Sequence, residues 1–211
     1  GVLAKPDQLG IADNTLVMYS TDNGAEKFSW PDGGTSPFRR EKDTNSDAGW
    51  RVPALLRWPG VIKPGTVSNE ICAHEDMLPT ILAAAGVPDV KEKLLKGYQV
   101  GGKTFKVHLD GYNLVPLLKG EAAQTTRKEI HYWTDDGDMM ALRYGNWKAV
   151  FKEQRADGFE VWSEPMVELR VPKIFNLRSD PFEQADHNSI YYHNWLIRRV
   201  FLLVPAQGFV A

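Results

Sequence analysis

Leu16-Val-Met-Tyr-Ser-Thr-Asp-Asn-Gly24 is the most informative stretch of the chain. Its first five residues form a short apolar run, set between Ala12-Asp-Asn14 and Asp22-Asn-Gly24. Such a run between turn residues reads as a buried strand of a parallel or mixed sheet. Arg51-Val-Pro-Ala-Leu-Leu-Arg57 reads as a second strand, ended by Trp58-Pro-Gly60; its proline suits a strand end or edge. Residues 24–49 are rich in Gly, Ser, Asp and Pro with little periodicity, which predicts a long loop, of a length usually functional or disordered. Further on, Met77, Leu78, Ile81, Leu82 and Ala85 recur at helical spacing, with Gly86 as the cap and Pro88 as the stop. Residues 87–108 read as a Lys- and Gly-rich connector, and Asn113 to Leu118 as a short helix.

The pattern changes near residues 120–128. Glu129-Ile-His-Tyr-Trp133, Met139-Met-Ala-Leu-Arg-Tyr144 and Trp147-Lys-Ala-Val-Phe-Lys152 are strand candidates. Asp135-Asp-Gly-Asp138 and Gly145-Asn146 supply hairpin-turn chemistry between them. Lys173 to Leu177 reads as a fourth strand and Ser189 to about Val204 as a helix. The expected organisation is α/β: residues 1–125 in a mixed-sheet domain, then 126–211 as a small antiparallel sheet with a C-terminal helix.

Composition bounds the function. The chain has 211 residues, a net charge of −2 and 43% hydrophobic residues, an ordinary globular balance. That charge gives no electrostatic case for nucleic acid or an anionic membrane as main partner. No apolar run approaches the roughly 20 residues a membrane helix needs. The single cysteine, Cys72, excludes an internal disulfide framework. The chain opens without Met or a signal-peptide pattern and stops in apolar sequence, so both ends read as cut from a longer protein.

Asp22 and Asn23 place a carboxylate and an amide at the C-terminal end of the first strand, where ligands collect in open α/β sheets. Two hard oxygen donors suit Ca²⁺ or Mg²⁺. The alternative is an Asx-rich turn. Lys42, nineteen residues beyond Asn23 in the loop, is placed to neutralise an anionic substrate oxygen; its alternative is a solvated surface lysine. His74, His108 and His131 are weaker candidates, and Trp30, Trp50 and Trp133 are candidates to line a substrate mouth.

In combination these segments resemble the type I sulfatases of the alkaline phosphatase superfamily. That family runs from a strand into Ser/Thr-Asp-Asn-Gly, then Lys, Glu-Gly-Gly-x-Arg-Val-Pro and Arg-Trp-Pro-Gly. Here the order is Thr21-Asp-Asn-Gly24, Lys42, Asp47-Ala-Gly-Trp-Arg-Val-Pro53 and Arg57-Trp-Pro-Gly60. Asp76-Met-Leu-Pro-Thr-Ile-Leu82, Asp110-Gly-Tyr-Asn-Leu-Val-Pro-Leu-Leu118 and Phe175-Asn-Leu-Arg-Ser-Asp-Pro-Phe-Glu183 are similar to later family segments. The resemblance implies hydrolysis of the sulfate ester of a small molecule or a sulfated glycan. Asp22 and Asn23 would be two ligands of a Ca²⁺ or Mg²⁺, and Lys42 would be the catalytic residue contacting the sulfate.

The family nucleophile is a formylglycine made in a Cys/Ser-x-Pro-x-Arg motif, and this sequence has no such motif. The resemblance places it upstream of Gly1. Asp47-Ala48 also stands where the family has Glu-Gly. The expectation is a C-terminal part of an arylsulfatase-like enzyme, inactive alone. The alternatives are a non-catalytic accessory domain and a phosphonate or phosphate ester hydrolase of the same superfamily.

Overall fold

A computed structural model describes residues 1–210. In chain order its helices are α1 (Ala4–Gln8), α2 (Asp47–Trp50), α3 (Met77–Ala84), α4 (Val90–Lys96), α5 (Val115–Leu118), α6 (Ala185–Asn188), α7 (Tyr192–Ile197) and α8 (Leu203–Val210). The strands are β1 (Val17–Ser20), β2 (Ala54–Arg57), β3 (Tyr98–Val100), β4 (Lys103–Phe105), β5 (Glu129–Trp133), β6 (Met139–Tyr144), β7 (Trp147–Glu153) and β8 (Val167–Asn176). They form two-stranded sheets β1-β2 and β3-β4 and a four-stranded sheet in the order β5-β6-β7-β8. The mixed α/β class follows. Compactness does not follow chain order: residues 1–18 and 56–128 form one unit, and 19–55 with 129–211 form the other.

In the first unit, polar groups fix the joints. Asp76 is fully buried. Its carboxylate accepts from Arg127 Nε at 2.9 Å and Nη2 at 2.7 Å, and from the backbone N–H groups of Ala73 and Tyr112. Thr80 Oγ1, on the first turns of α3, accepts from Leu114 N–H at 2.9 Å. A Cβ on Gly111 would lie 1.9 Å from the Glu75 carbonyl oxygen. The Asp76…Thr80 and Asp110-Gly111 segments quoted for the resemblance therefore clamp α3 to the chain entering α5. The stretch read as a connector holds α4 and the β3-β4 hairpin, whose turn residues Gly101 and Gly102 take φ of 55° and 81°.

In the second unit, β5 to β8 pair antiparallel throughout, with irregularities at Tyr132/Trp133 and Val150/Lys152. Tyr132, Ala141, Val150, Phe175 and Leu177 pack into one core cluster; Ile174 packs with Tyr192 and Leu196 in another. The Tyr192 hydroxyl donates to the Ile174 carbonyl at 3.0 Å and ties α7 to β8. The single helix expected over 189–204 is instead α7, a 3₁₀ turn at Val200–Leu202 and α8. Pro205 lies in the first turn of α8, where its missing N–H costs nothing; within a continuous helix it would break a hydrogen bond.

Candidate functional site

Asp22, Asn23 and Lys42 all lie in the second unit. The turn that carries the first two is locked to α2. Gly24 N–H donates to the Gly49 carbonyl at 2.9 Å. A Cβ on Gly24 would sit 1.6 Å from the Ala48 carbonyl oxygen, and one on Gly49 would sit 2.5 Å from that of Glu41. Only glycine permits these approaches, so Thr21-Asp-Asn-Gly24 and Asp47-Ala-Gly-Trp50 are one packed assembly. Asp22 is exposed and Asn23 half-buried. Asn23 Nδ2 donates to the Gly24 carbonyl at 2.9 Å, which leaves Oδ1 as the atom that could meet a cation.

The Asp22/Asn23 donor set fits a hard cation in chemistry. It falls short in number of the about six to eight oxygens Ca²⁺ takes. Among the described residues, no group of three His, Cys, Asp or Glu side chains converges on a metal-sized point.

Lys42 is half-buried. Its Nζ lies 3.4 Å from Glu26 Oε1 and 4.7 Å from the centroid of the Trp162 ring. These are its partners in the structure; the Glu26 pair is partly solvated and worth about 0–1 kcal/mol. The neighbouring backbone is unusual, with Arg40 and Asp43 at φ of 67° and 61°. Asp43 Oδ2 is buried without a hydrogen-bond partner, and burial raises the Asp43 pKa against the opposing pull of Lys42. Strain of this sort persists where surroundings over-determine the chain. Here the surroundings are Glu41. It is fully buried, and its carboxylate accepts from Lys27 N–H at 2.7 Å and from Gly158 N–H at 2.9 Å.

A second buried network supports α2 from the sheet. Lys148 on β7 is 0% exposed. Its Nζ lies 2.8 Å from Glu183 Oε1, 3.2 Å from Asp47 Oδ1 and 4.2 Å from the Tyr132 ring centroid. Glu183 Oε2 accepts from Asp47 N–H at 2.7 Å, and the Tyr132 hydroxyl donates to Asp47 Oδ1 at 3.3 Å. Burial disfavours the Lys148 ammonium, yet the Glu183 and Asp47 carboxylates beside it keep its pKa above the ordinary lysine value. Burial likewise pushes the Tyr132 phenol well up. Sequence reasoning passed over Glu41, Lys148 and Glu183 as site-building residues. One signal was present: Lys148 shares the strand phase of Val150, the buried face.

His108 and Asp110 form an exposed pair at 3.2 Å. His131 pairs in register with Leu142 within the sheet and stacks near Trp133. Trp50 donates its Nε1–H to the Thr44 carbonyl at 2.9 Å and packs edge-on against Tyr132, while Trp30 is 63% exposed.

Comparison with known proteins places this geometry in context. Residues 1–87 match the family model described as Sulfatase. Arylsulfatase A of Homo sapiens is 32% identical over 187 residues, which cover 83% of this chain and 34% of that protein. The N-acetylgalactosamine-6-sulfatase of Canis lupus familiaris is 33% identical over 201 residues, 87% of this chain and 35% of the relative. Among solved structures, the PsFucS1 sulfatase from Pseudoalteromonas sp. superposes with a TM-score of 0.74 at 26% identity, over 98% of this chain and 39% of that one. The chain spans about a third of the length of these curated relatives.

Proposed function

For a chain that belongs to the sulfatase family, we propose the C-terminal part of a sulfuric ester hydrolase of the arylsulfatase type. Residues 1–125 are the end of its catalytic domain and 126–211 a C-terminal subdomain. The formylglycine that supplies the nucleophile lies in sequence before Gly1. Its substrate is the sulfate ester of a small molecule or a glycan.

One observation carries this reading. The Gly24 amide on the Gly49 carbonyl, with no room for a Cβ, joins in space the two motifs that the family pattern separates by a variable loop. That contact is a reason for Gly24, and the close approach of Gly49 to the Glu41 carbonyl is a reason for the second glycine.

The chain's own residues then act as follows. Asp22 and Asn23 would supply two of the oxygen ligands of a Ca²⁺ or Mg²⁺, whose chemistry there would be neutralisation of the sulfate charge. Lys42 would turn its ammonium from Glu26 toward the same group. Sulfate transfer places negative charge on oxygens, and a fixed ammonium in a water-poor site stabilises it better than solvent does. Glu26 yields Lys42 to the substrate at small cost, since their pair is partly solvated. The Glu41 carboxylate holds the backbone of the surrounding turns, so only the Lys42 side chain has to reorient.

The test uses the full-length enzyme. It should release sulfate from 4-nitrophenyl sulfate, lose that activity with a chelator and regain it with Ca²⁺ or Mg²⁺. Asp22→Ala should raise the metal concentration needed for half-maximal recovery by about tenfold or more, the scale of a ligand-shell defect. Recovery identical to wild type would refute the assignment of Asp22.

A further inference from the structure

The group nearest the Lys42 ammonium is an acid. Lys42 Nζ lies 3.4 Å from Glu26 Oε1. A carboxylate at the tip of an anion-binding lysine competes with the anion. The pairing is nevertheless built in, because the backbone on both sides of Glu26 is held. Lys42 N–H donates to the Ala25 carbonyl at 3.2 Å. Lys27 N–H donates to the fully buried Glu41 carboxylate at 2.7 Å. The Glu26 and Lys42 side chains thus leave adjoining backbones, and Glu26 stays a neighbour of Lys42 when the ammonium turns to another anion. Its field also reaches past Lys42. Burial first raises the Asp43 pKa, Lys42 opposes that rise, and the negative charges of Asp135 and Glu26 add to it.

We propose that Glu26 is a specificity-determining residue of this site: its fixed negative charge beside Lys42 admits a singly charged sulfate ester and disfavours a doubly charged phosphate monoester. This rests on the reading of Lys42 as the sulfate-binding residue. The two esters share a tetrahedral shape, so steric fit separates them poorly and charge is the difference left to read. A sulfate monoester carries one negative charge at neutral pH. A phosphate monoester, whose second ionisation lies at about pH 6, carries close to two. An ammonium and a divalent cation alone would favour the second charge, since attraction scales with charge. Repulsion by Glu26 scales in the same way, counting once against the sulfate and twice against the phosphate. Placing a like charge against the wrong ligand is a general route to specificity.

The test is competition against 4-nitrophenyl sulfate hydrolysis by the full-length enzyme. The inhibitors are benzylsulfonate, benzylphosphonate and benzylphosphonate monomethyl ester, at a pH where phosphorus NMR shows the phosphonate doubly ionised. The sulfonate and the monoester carry one charge, the phosphonate two. In Glu26→Gln the inhibition constant of the phosphonate should fall further than that of the sulfonate. The difference should be about threefold or more at low ionic strength, the scale of one unit charge a few ångströms away in a mostly aqueous site. The monoester should move with the sulfonate, and the difference should shrink in high salt. The ratio of the constants is unaffected by loss of folded enzyme, so a change in stability cannot imitate this result. Equal shifts for all three inhibitors, or a monoester that moves with the doubly charged phosphonate, overturn the role of Glu26. Lys42→Ala separates the two readings. If it leaves all three constants unchanged, the sulfate role of Lys42 fails and that of Glu26 falls with it. If it weakens all three while Glu26→Gln shifts them equally, Lys42 stands and Glu26 alone fails.

Discussion

Replacing Lys148 by methionine isolates the element on which the candidate site stands. Methionine keeps the unbranched apolar stem and removes the ammonium. Two ion pairs vanish, at 2.8 Å to Glu183 and 3.2 Å to Asp47, and both carboxylates are almost fully buried. Breaking a buried pair by removing one partner costs about 3–5 kcal/mol, because the survivor stays buried and uncompensated. The low end applies here. Asp47 keeps the Tyr132 hydroxyl, and Glu183 keeps the Asp47 amide. A loss of about 3 kcal/mol lowers the unfolding temperature of a chain this size by roughly 6–12 °C. Circular dichroism melting of wild type and Lys148→Met at neutral pH reads it. Adding Asp47→Asn and Glu183→Gln to Lys148→Met should recover part of the loss, since neutral groups cost less to bury. A shift under about 2 °C for the single variant, less than 1 kcal/mol on the same scale, would refute the claim that the network holds α2 to the sheet.

Gly24→Ala should destabilise by about 1–3 kcal/mol or more, the cost of overpacking, because the colliding atoms are the Ala48 carbonyl and cannot rotate away; urea unfolding within 0.5 kcal/mol of wild type would contradict it. Asp43→Asn should stabilise the protein near neutral pH. The folded-state pKa of Asp43 is raised, by burial first, so wild-type stability falls as pH rises through that folded pKa. Denaturant midpoints measured across the carboxylate range should show that pH dependence diminished in the variant, and Asn tolerates the positive φ there.

How much of this was legible in sequence depended on how local the determinant was. β5, β6 and β7 could be read because alternation and the Asp135-Asp-Gly-Asp138 and Gly145-Asn146 turns are short-range signals. The β3-β4 hairpin was available in Gly101-Gly102 but was masked by the surrounding lysines. The break between α7 and α8 was hidden because apolar spacing alone does not register the proline at 205. Asp22, Asn23 and Lys42 were singled out by chemistry near a strand end and by motif order, without the packing of Gly24 on α2. The Lys148–Asp47–Glu183 network joins residues 101 and 35 positions apart along the chain. Nothing local encodes that meeting; only the inward phase of Lys148 pointed to a buried cation.

The most direct test of the sulfatase reading is Lys42→Ala in the full-length enzyme, with kcat measured at saturating sulfate ester and metal. Removing one preorganised charge partner of a reacting group costs about 3 kcal/mol, near a hundredfold in rate. Folding should scarcely notice, because Lys42 loses only a partly solvated pair with Glu26 and one contact with Trp162. The account predicts kcat lowered by about a hundredfold at an unchanged unfolding temperature. An unchanged kcat would contradict it.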